Sequence, residues 1–293
     1  MSDDATDPTA TDDTPIIWAP TTRDVVTVAG PEAEAYLQGQ LSQDVAALDH
    51  GESAATFVLG PQGKVEGWGR VHRVGDQAFE IDVDPGAGPV WEARLRRFLL
   101  QTKAEITVDE AVPAVAVRGL YTTPDLGVDV LPAIGEVGYD VIGHGIDVVV
   151  ADLPTEAVEV DAEALEAHRI AAGVPRWGAE LDESTIPATV GQWVVDASVS
   201  FTKGCYTGQE LVARIDSRGG NVPHRLVIVE LEGSAPVAGA EVVVDGEVVG
   251  SVTSAATHPA GGSVALTFVG RAVEIGDEGV VAVVDGVAAR LLP

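Results

Sequence analysis

The sole cysteine of this 293-residue chain, Cys205, lies in the run 203–210 (KGCYTGQE), where several residue types capable of chemistry stand together. A lone thiol can form no intramolecular disulfide, and it provides too few thiolates for a structural zinc site or an iron–sulfur cluster. Free cysteine is often simply buried in a core. Two interpretations remain, an inert core side chain or a chemically used sulfur, and the neighbouring residues favour the second.

The residues on either side of Cys205 predict an activated thiol. Thr207 and Glu210 have the spacing of a capping box, so a helix is predicted to begin just after the cysteine. Partial positive charge at a helix N-terminus and the nearby cation of Lys203 both favour a thiolate. Lys203 could instead be a surface charge, and for Thr207 and Glu210 a purely capping role is favoured. We predict a functional role for Cys205 and Lys203.

Other polar side chains could recognise a ligand, and each has a plainer structural alternative. Gln209 could hydrogen-bond a ligand or a turn, and Tyr206 could stack on a flat ring or belong to the core. Lys64 could attract a carboxylate as a point charge. Arg214 and Arg218 either pair with acidic side chains or face an anionic ligand. The histidines have no spacing typical of metal ligands, so no metal site is predicted.

The charge of the chain restricts its partners and its habitat. A net charge of -29, with 46 acidic and 17 basic residues, argues against a nucleic-acid-binding surface. An acidic surface with so few lysines suits a high-salt cytoplasm, so we expect a halophilic source. The chain has no long apolar run and no signal-peptide pattern, which predicts a soluble, cytoplasmic protein that does not bind membranes.

Three segments are predicted along the chain. Residues 1–14 form an acidic, disordered tail, residues 15–222 mix strands and helices, and the valine-rich residues 223–293 form a small β-barrel without helices. Tight turns are expected at 245–246 and 285–286, both Asp-Gly. The segment 15–222 is predicted to contain strands or β-rich stretches at 24–29, 56–59, 65–74 and 139–151. Its helices are predicted at 31–41, 89–101 and 155–172, the last with Thr155 as N-cap.

Three motifs carry a family resemblance. The strongest lies in 169–218, which ends in the KGCYTGQE run and its helix; the others are 36–40 (YLQGQ), followed by Asp44-Val45, and 59–64 (LGPQGK). Together they resemble the YgfZ family of folate-binding proteins, relatives of the glycine-cleavage T-protein (aminomethyltransferase). The KGCYTGQE run is that family's signature, and the resemblance extends over about residues 20–290.

The resemblance implies an α+β fold in which two mixed α/β subdomains enclose a central hole that binds tetrahydrofolate, followed by a C-terminal β-barrel. The family supports the assembly or repair of iron–sulfur clusters in other enzymes, including enzymes that modify tRNA. The expected partners are therefore folate and iron–sulfur client enzymes or assembly proteins. The Cys205 sulfur could trap a one-carbon unit carried by folate, or exchange with sulfur derived from a cluster.

The resemblance also implies which residues form the site. Cys205 and Lys203 are the possible catalytic residues. Lys64 would attract a glutamyl carboxylate of folate, and the first helix would face the central opening. The predicted folate contacts are Gln38, Gln40, Lys64, Gly204, Tyr206, Gly208, Gln209, Glu210 and Arg214.

Two departures from the T-protein weaken the alternative function of an aminomethyltransferase. The T-protein holds the pterin with a glutamate where this chain has Ala171, and its catalytic aspartate has no convincing match within 82–86 (DVDPG). Aminomethyl transfer needs an acid or base placed on the reacting nitrogen. A third alternative is a non-catalytic scaffold that has lost folate.

Overall fold

The computed structural model describes residues 15–259 and 261–293. The predicted acidic tail, 1–14, lies outside the described residues. The chain forms two β systems, a twisted open sheet followed by a closed barrel, with the helices packed around them. This architecture confirms the predicted fold class.

The open sheet has eight strands in the order β2-β3-β4-β1-β5-β7-β6, with β8 pairing parallel to β1. Its strands are β1 (Ile17–Ala29), β2 (Ser53–Leu59), β3 (Val65–Gly75), β4 (Ala78–Val83), β5 (Glu105–Arg118), β6 (Leu131–Pro132), β7 (Gly138–Ile142) and β8 (Val158–Glu159). The α-helices of the described residues are α1 (Ala33–Gln40), α2 (Gly88–Arg97), α3 (Ile146–Asp152), α4 (Ala162–Ala171), α5 (Gln192–Ser198) and α6 (Gln209–Asp216). Short 3-10 helices span Val45–Ala47 and Pro187–Val190.

A bulge in the middle of β1 directs charged side chains into the centre of the molecule. The register with β5 shifts between Arg23 and Val25. Asp24, buried at the bulge, accepts hydrogen bonds from the backbone N–H groups of Gly86, Gly88 and Ala111. These bonds fix the bulge, because a buried carboxylate must be satisfied by donors. Arg23 is thereby directed towards the carboxyl end of β4.

The barrel closes in the order β10-β11-β12-β9-β14-β13. Its strands are β9 (His224–Leu231), β10 (Glu241–Val244), β11 (Glu247–Thr257), β12 (Ser263–Gly270), β13 (Val280–Val284) and β14 (Val287–Leu292). Asp245 and Gly246, and likewise Asp285 and Gly286, have positive φ at both positions, as a type I′ hairpin turn requires. The two Asp-Gly turns are therefore confirmed, and no helix occurs in the described part of 224–293.

Apolar cores hold these layers together. Between the sheet and α1 and α2, the fully buried Phe79, Trp91 and Leu95 form part of one core, and burial of each such side chain contributes about 1.5–3 kcal/mol. Across the junction with the barrel, Ala167 and Ile170 of α4 pack against β11 and β12. The helix α4 thus connects the open sheet to the barrel.

Two local predictions are wrong. Only the start of the β-rich stretch 139–151 is a strand, because Gly143 and Gly145 adopt positive φ and the valines that follow lie in α3. The helix predicted from Thr155 begins at Ala162, and its N-cap is Asp161, whose side chain accepts a hydrogen bond from the Ala164 N–H at 2.9 Å. In both places tertiary context outweighs local propensity.

Candidate functional site

A cavity of about 310 Å³ lies where the centre of the open sheet meets α4. Its walls carry an equal number of cations and anions. They are Arg23, Arg70, Arg118, Arg169 and Arg176, with Asp82, Asp84, Glu136, Asp140 and Glu166. The cavity is therefore formally neutral in a chain whose net charge is -29. We call it the arginine–carboxylate cavity.

Strands β1, β3, β4 and β7 supply one half of this network. Arg70 binds both oxygens of Asp82, at 2.8 and 3.1 Å, and reaches Asp140 at 3.1 Å. Arg23 binds Asp82 at 3.1 Å and Asp84 at 2.7 Å. Burial alone would lower the pKa of Arg23, but Asp84, Asp82 and Asp140 raise it above its usual value. These side chains are held in a single arrangement by charge-assisted bonds.

Arg118 of β5 extends the network towards α4. Its guanidinium binds Asp140 at 2.9 Å and Glu136 at 3.0 Å, and Glu136 also contacts His168 Nδ1 at 3.0 Å. Burial would raise the pKa of Asp140, but Arg118, Arg70 and Arg23 outweigh it and hold that pKa below its usual range. Asp140 therefore stays ionised at neutral pH.

The third part of the network joins α4 to the barrel. Arg169 binds both oxygens of Glu166 at 2.8 Å, and Arg176 reaches Glu166 at 3.0 Å. Arg169 also lies 3.3 Å from Glu180, whose side chain is wholly buried. The pKa of Glu166 is lowered because Arg169 and Arg176 outweigh the opposing effect of burial.

The KGCYTGQE run lies outside this cavity and is tied to α1. Lys203 Nζ donates to the carbonyl oxygens of Leu41 at 2.8 Å and Gln43 at 2.7 Å, and it lies 5.2 Å from the centre of the Tyr206 ring. Burial lowers the pKa of Lys203 to about 8, against the opposing effect of Asp44. Its ammonium group thus satisfies carbonyls that follow the last turn of α1.

The predicted capping box does not form. Helix α6 begins at Gln209 with Gly208 as N-cap, at a φ of 83°, and no side chain caps it. The Gln209 side chain instead accepts a hydrogen bond from the Tyr206 N–H at 3.1 Å, and the Thr207 N–H bonds to Gly39 O at 3.1 Å. The helix therefore begins after a glycine in the left-handed conformation, and not after the Thr207 hydroxyl cap that the spacing of Thr207 and Glu210 predicted. Cys205 precedes this turn and is exposed.

Close backbone contacts bring the three sequence motifs together. A Cβ on Gly208 would lie 2.5 Å from Gly60 O, and one on Gly63 would lie 2.4 Å from Leu211 Cβ. Only glycine fits at these two positions, since real Cβ contacts are never so short. The motifs at 36–40, 59–64 and 203–210 therefore form one assembled joint.

The remaining predicted residues lie in or near this joint. Gln40 accepts a hydrogen bond from Arg94 at 3.0 Å, and Gln38 donates to Asp44 at 2.7 Å. Within the described ranges, no ion pair involves Lys64 or the exposed Arg214. None of the eleven predicted site residues lines the arginine–carboxylate cavity.

Sequence reasoning missed the side chains of that cavity, although a signal was present. Arg70, Asp82 and Arg118 are buried beside apolar, buried residues of their strands, such as Val71, Ile81 and Val117. A charged residue in such a run must find a partner of opposite charge. Several such residues in neighbouring strands therefore indicate an internal charge network.

Comparison with known proteins yields several proteins of similar sequence. A "tRNA-modifying protein YgfZ" of Edwardsiella ictaluri is 27% identical over 241 residues, covering 74% of this chain and 70% of the relative. An "Iron-sulfur cluster assembly factor IBA57 homolog, mitochondrial" of Mycosarcoma maydis is 26% identical over 287 residues, covering 87% and 70%. No protein-family model matches the sequence.

The resemblance to the YgfZ family is confirmed. The fold agrees: a solved glycine cleavage system aminomethyltransferase T of Bartonella henselae superposes with a TM-score of 0.73, covering 96% of this chain and 86% of that one, at 18% identity. In the part of the chain that is described, no helix is long and apolar enough to cross a membrane, and no cluster of potential metal ligands occurs. The halophilic source and the domain boundaries stay predictions.

Proposed function

We propose that this protein binds tetrahydrofolate or a derivative of it and acts as an accessory protein in the assembly or repair of iron–sulfur clusters. In this role it would support iron–sulfur-dependent tRNA modification in the cytoplasm. The observation that carries the proposal is the neutral arginine–carboxylate cavity in the centre of a T-protein-like fold. The names of the relatives, a tRNA-modifying protein and an iron–sulfur assembly factor, support the cellular role.

The residues of the cavity fit a folate. Its carboxylates can accept hydrogen bonds from the amino and ring N–H groups of a pterin, and its guanidinium groups can bind carbonyl or carboxylate oxygens. Trp68, Leu165 and Val174 provide apolar wall. The volume of about 310 Å³ is at the lower limit for small-molecule sites, roughly 300–1,000 Å³, and suits a fused ring better than a whole folate. Bound tetrahydrofolate would supply one-carbon chemistry at its N5 and N10 nitrogens.

Glu166 is the carboxylate that we assign to pterin recognition. It lies on α4 at the cavity wall, its side chain is 23% exposed, and Arg169 and Arg176 keep it ionised. Asp82 is bound by two arginines in the same way but is only 4% exposed, so a ligand has less access to it. Glu166 therefore combines a fixed orientation with access to an incoming ligand.

Cys205 is proposed as a functional thiol that acts at the surface. Because Cys205 is exposed, its sulfur is accessible to another macromolecule. Such access is required if the thiol acts on an iron–sulfur client enzyme. Lys203 contributes by position, since its ammonium group is bound to two carbonyl oxygens and fixes the KGCYTGQE run on α1. The proposed folate contacts from Gln38 to Arg214 remain predictions, and loss of folate affinity on their substitution would support them.

The folate proposal is tested by calorimetric titration with tetrahydrofolate at high salt. The variant Glu166→Gln keeps the shape of the side chain but loses its charge, and we expect affinity to fall about tenfold or more. Glu92→Gln is the matched control, because Glu92 forms a similar within-helix pair with Arg96 at 2.8 Å, away from the cavity. Equal affinities of both variants and the unmodified protein, or no binding at all, would contradict the proposal.

The cellular role is tested with Cys205→Ala and Cys205→Ser in the native host. Both variants should reduce cluster-dependent tRNA methylthiolation, while a deletion strain sets the lower limit. Full modification in both variants, alongside a clear loss in the deletion strain, would remove Cys205 from the mechanism.

The arrangement does not favour an aminomethyltransferase. Asp84, at the end of β4, has one oxygen bound to Arg23 at 2.7 Å and the other to the Trp177 N–H at 3.0 Å. A general acid or base must be able to reach the reacting nitrogen. The similarity to the aminomethyltransferase of Bartonella henselae, at 18% identity, concerns the fold alone.

A further inference from the structure

A second cavity, of about 820 Å³, lies between the α5–α6 region and the barrel. Three arginines border it: Arg218 just after α6, Arg225 in β9, and Arg271 just after β12. The rings of Trp193 and His224 also line it, together with an apolar wall from β9 and β12. We call it the barrel-side cavity.

The electrostatic character of this cavity is opposite to that of the chain. The protein has 46 acidic residues, yet no acidic side chain among the described residues lines the barrel-side cavity. Across residues 15–259 and 261–293, none of its three arginines forms an ion pair. Arg225 donates only to the Val273 carbonyl, at 2.8 Å, and Arg218 and Arg271 are exposed. The arginines of the first cavity, in contrast, are all matched by carboxylates.

We propose that the barrel-side cavity binds a small organic phosphate of about the size of a mononucleotide. Guanidinium groups match the geometry of phosphate oxygens and remain charged at all physiological pH values. The volume of about 820 Å³ falls in the range of small-molecule sites, roughly 300–1,000 Å³. The rings of Trp193 and His224 and the apolar wall offer a surface for the organic part of the ligand.

The charge of the whole chain selects a compact anion over an extended one. At about 0.1 M salt, charges act over only about 10 Å, so a ligand inside the cavity interacts mainly with the local arginines. An RNA strand would extend beyond the cavity and along a surface of net charge -29. A ligand with two or three charges avoids that repulsion.

The proposal is tested by titrating the full chain with adenosine monophosphate at moderate salt. We expect saturable binding to the unmodified protein, and Arg218→Gln and Arg271→Gln should each weaken it about tenfold or more. Arg290→Gln is the matched control, because Arg290 is also exposed and unpaired within the described residues, but donates to Glu278 O outside this cavity. Thermal melts of all variants check that the fold is retained.

Competition experiments and variant titrations separate the outcomes. Inorganic pyrophosphate should compete with the nucleotide, whereas a triglutamate peptide and a short single-stranded RNA should compete poorly. Glu166→Gln should leave nucleotide affinity unchanged, and Arg218→Gln should leave tetrahydrofolate affinity unchanged. The proposals for the two cavities are therefore tested independently of each other. Absence of nucleotide binding, equal weakening by Arg290→Gln, or stronger binding of triglutamate or RNA than of the nucleotide would overturn the proposal.

Discussion

Removal of the Glu180 side chain should destabilise the protein far more than removal of a surface glutamate. This carboxylate is wholly buried and accepts four hydrogen bonds. One oxygen accepts from Thr253 at 2.7 Å and Ser254 at 2.6 Å in β11, and the other from the Arg176 N–H at 3.0 Å and Arg169 at 3.3 Å. Glu180 thereby links the arginine–carboxylate cavity to the barrel.

The magnitude for Glu180→Ala follows from the donors that lose their acceptor. Thr253 keeps Leu266 O at 3.0 Å, and Arg169 keeps Glu166. The Ser254 hydroxyl and the Arg176 N–H keep none among the described residues. Each buried donor without a partner costs about 1–3 kcal/mol, and removal of one partner from a buried ion pair costs about 3–5 kcal/mol. We therefore expect the free energy of unfolding to fall by about 3–5 kcal/mol.

The assay is urea unfolding at fixed high salt, followed by both tryptophan fluorescence and circular dichroism. Glu180→Gln keeps the volume and one acceptor, so its loss should be smaller, about 1–3 kcal/mol. Glu92→Ala, which breaks an exposed pair with Arg96, should change stability by less than about 1 kcal/mol. A loss below about 1 kcal/mol for Glu180→Ala would refute the reasoning, since it would mean that water replaces the carboxylate without penalty.

Two further predictions concern the joint and the response to acid. Gly208→Ala should destabilise the protein by about 1–3 kcal/mol in urea unfolding, because the φ of Gly208 is positive and an added Cβ would meet Gly60 O. Gly204→Ala is the control and should be nearly neutral, because the space around Gly204 is open. Equal effects of the two substitutions would contradict this prediction. Burial lowers the pKa of His72 in the folded protein, so the unfolded chain binds the proton first as pH falls. Stability should therefore decline below about pH 6.5, and His72→Gln should reduce that slope; parallel slopes would refute the assignment.

The sequence anticipates the features that local chemistry determines. The Asp-Gly turns of the barrel follow from residues that tolerate positive φ, and the helix start near residue 209 is marked by the residues around it. The capping box fails because the same run contains Gly208, and a left-handed glycine ends the preceding turn without a hydroxyl. Local patterns thus locate elements well but do not decide between two capping solutions.

The arginine–carboxylate cavity could not be found in this way, because its partners are distant in sequence. Arg23 reaches Asp82 and Asp84, and Arg70 reaches Asp140, across strands whose order is β3-β4-β1-β5-β7. Nothing in the local sequence specifies that order. The acidic composition adds to the difficulty, since a few essential carboxylates cannot be distinguished from the many that cover the surface.

The two groups of arginines indicate that stability alone does not explain their positions. A buried ion pair adds little to stability compared with apolar residues of the same volume, so Arg70 and Asp82 at the centre of a sheet are better explained by a ligand. The positions of Arg218 and Arg271 are also better explained by a ligand, for a different reason. In a chain of net charge -29 an unpaired cation has many potential partners, and pairing would reduce the repulsion among the acids. Arginines that border the barrel-side cavity and form no ion pair with any described residue are therefore best understood as available for an anion that is not part of the chain.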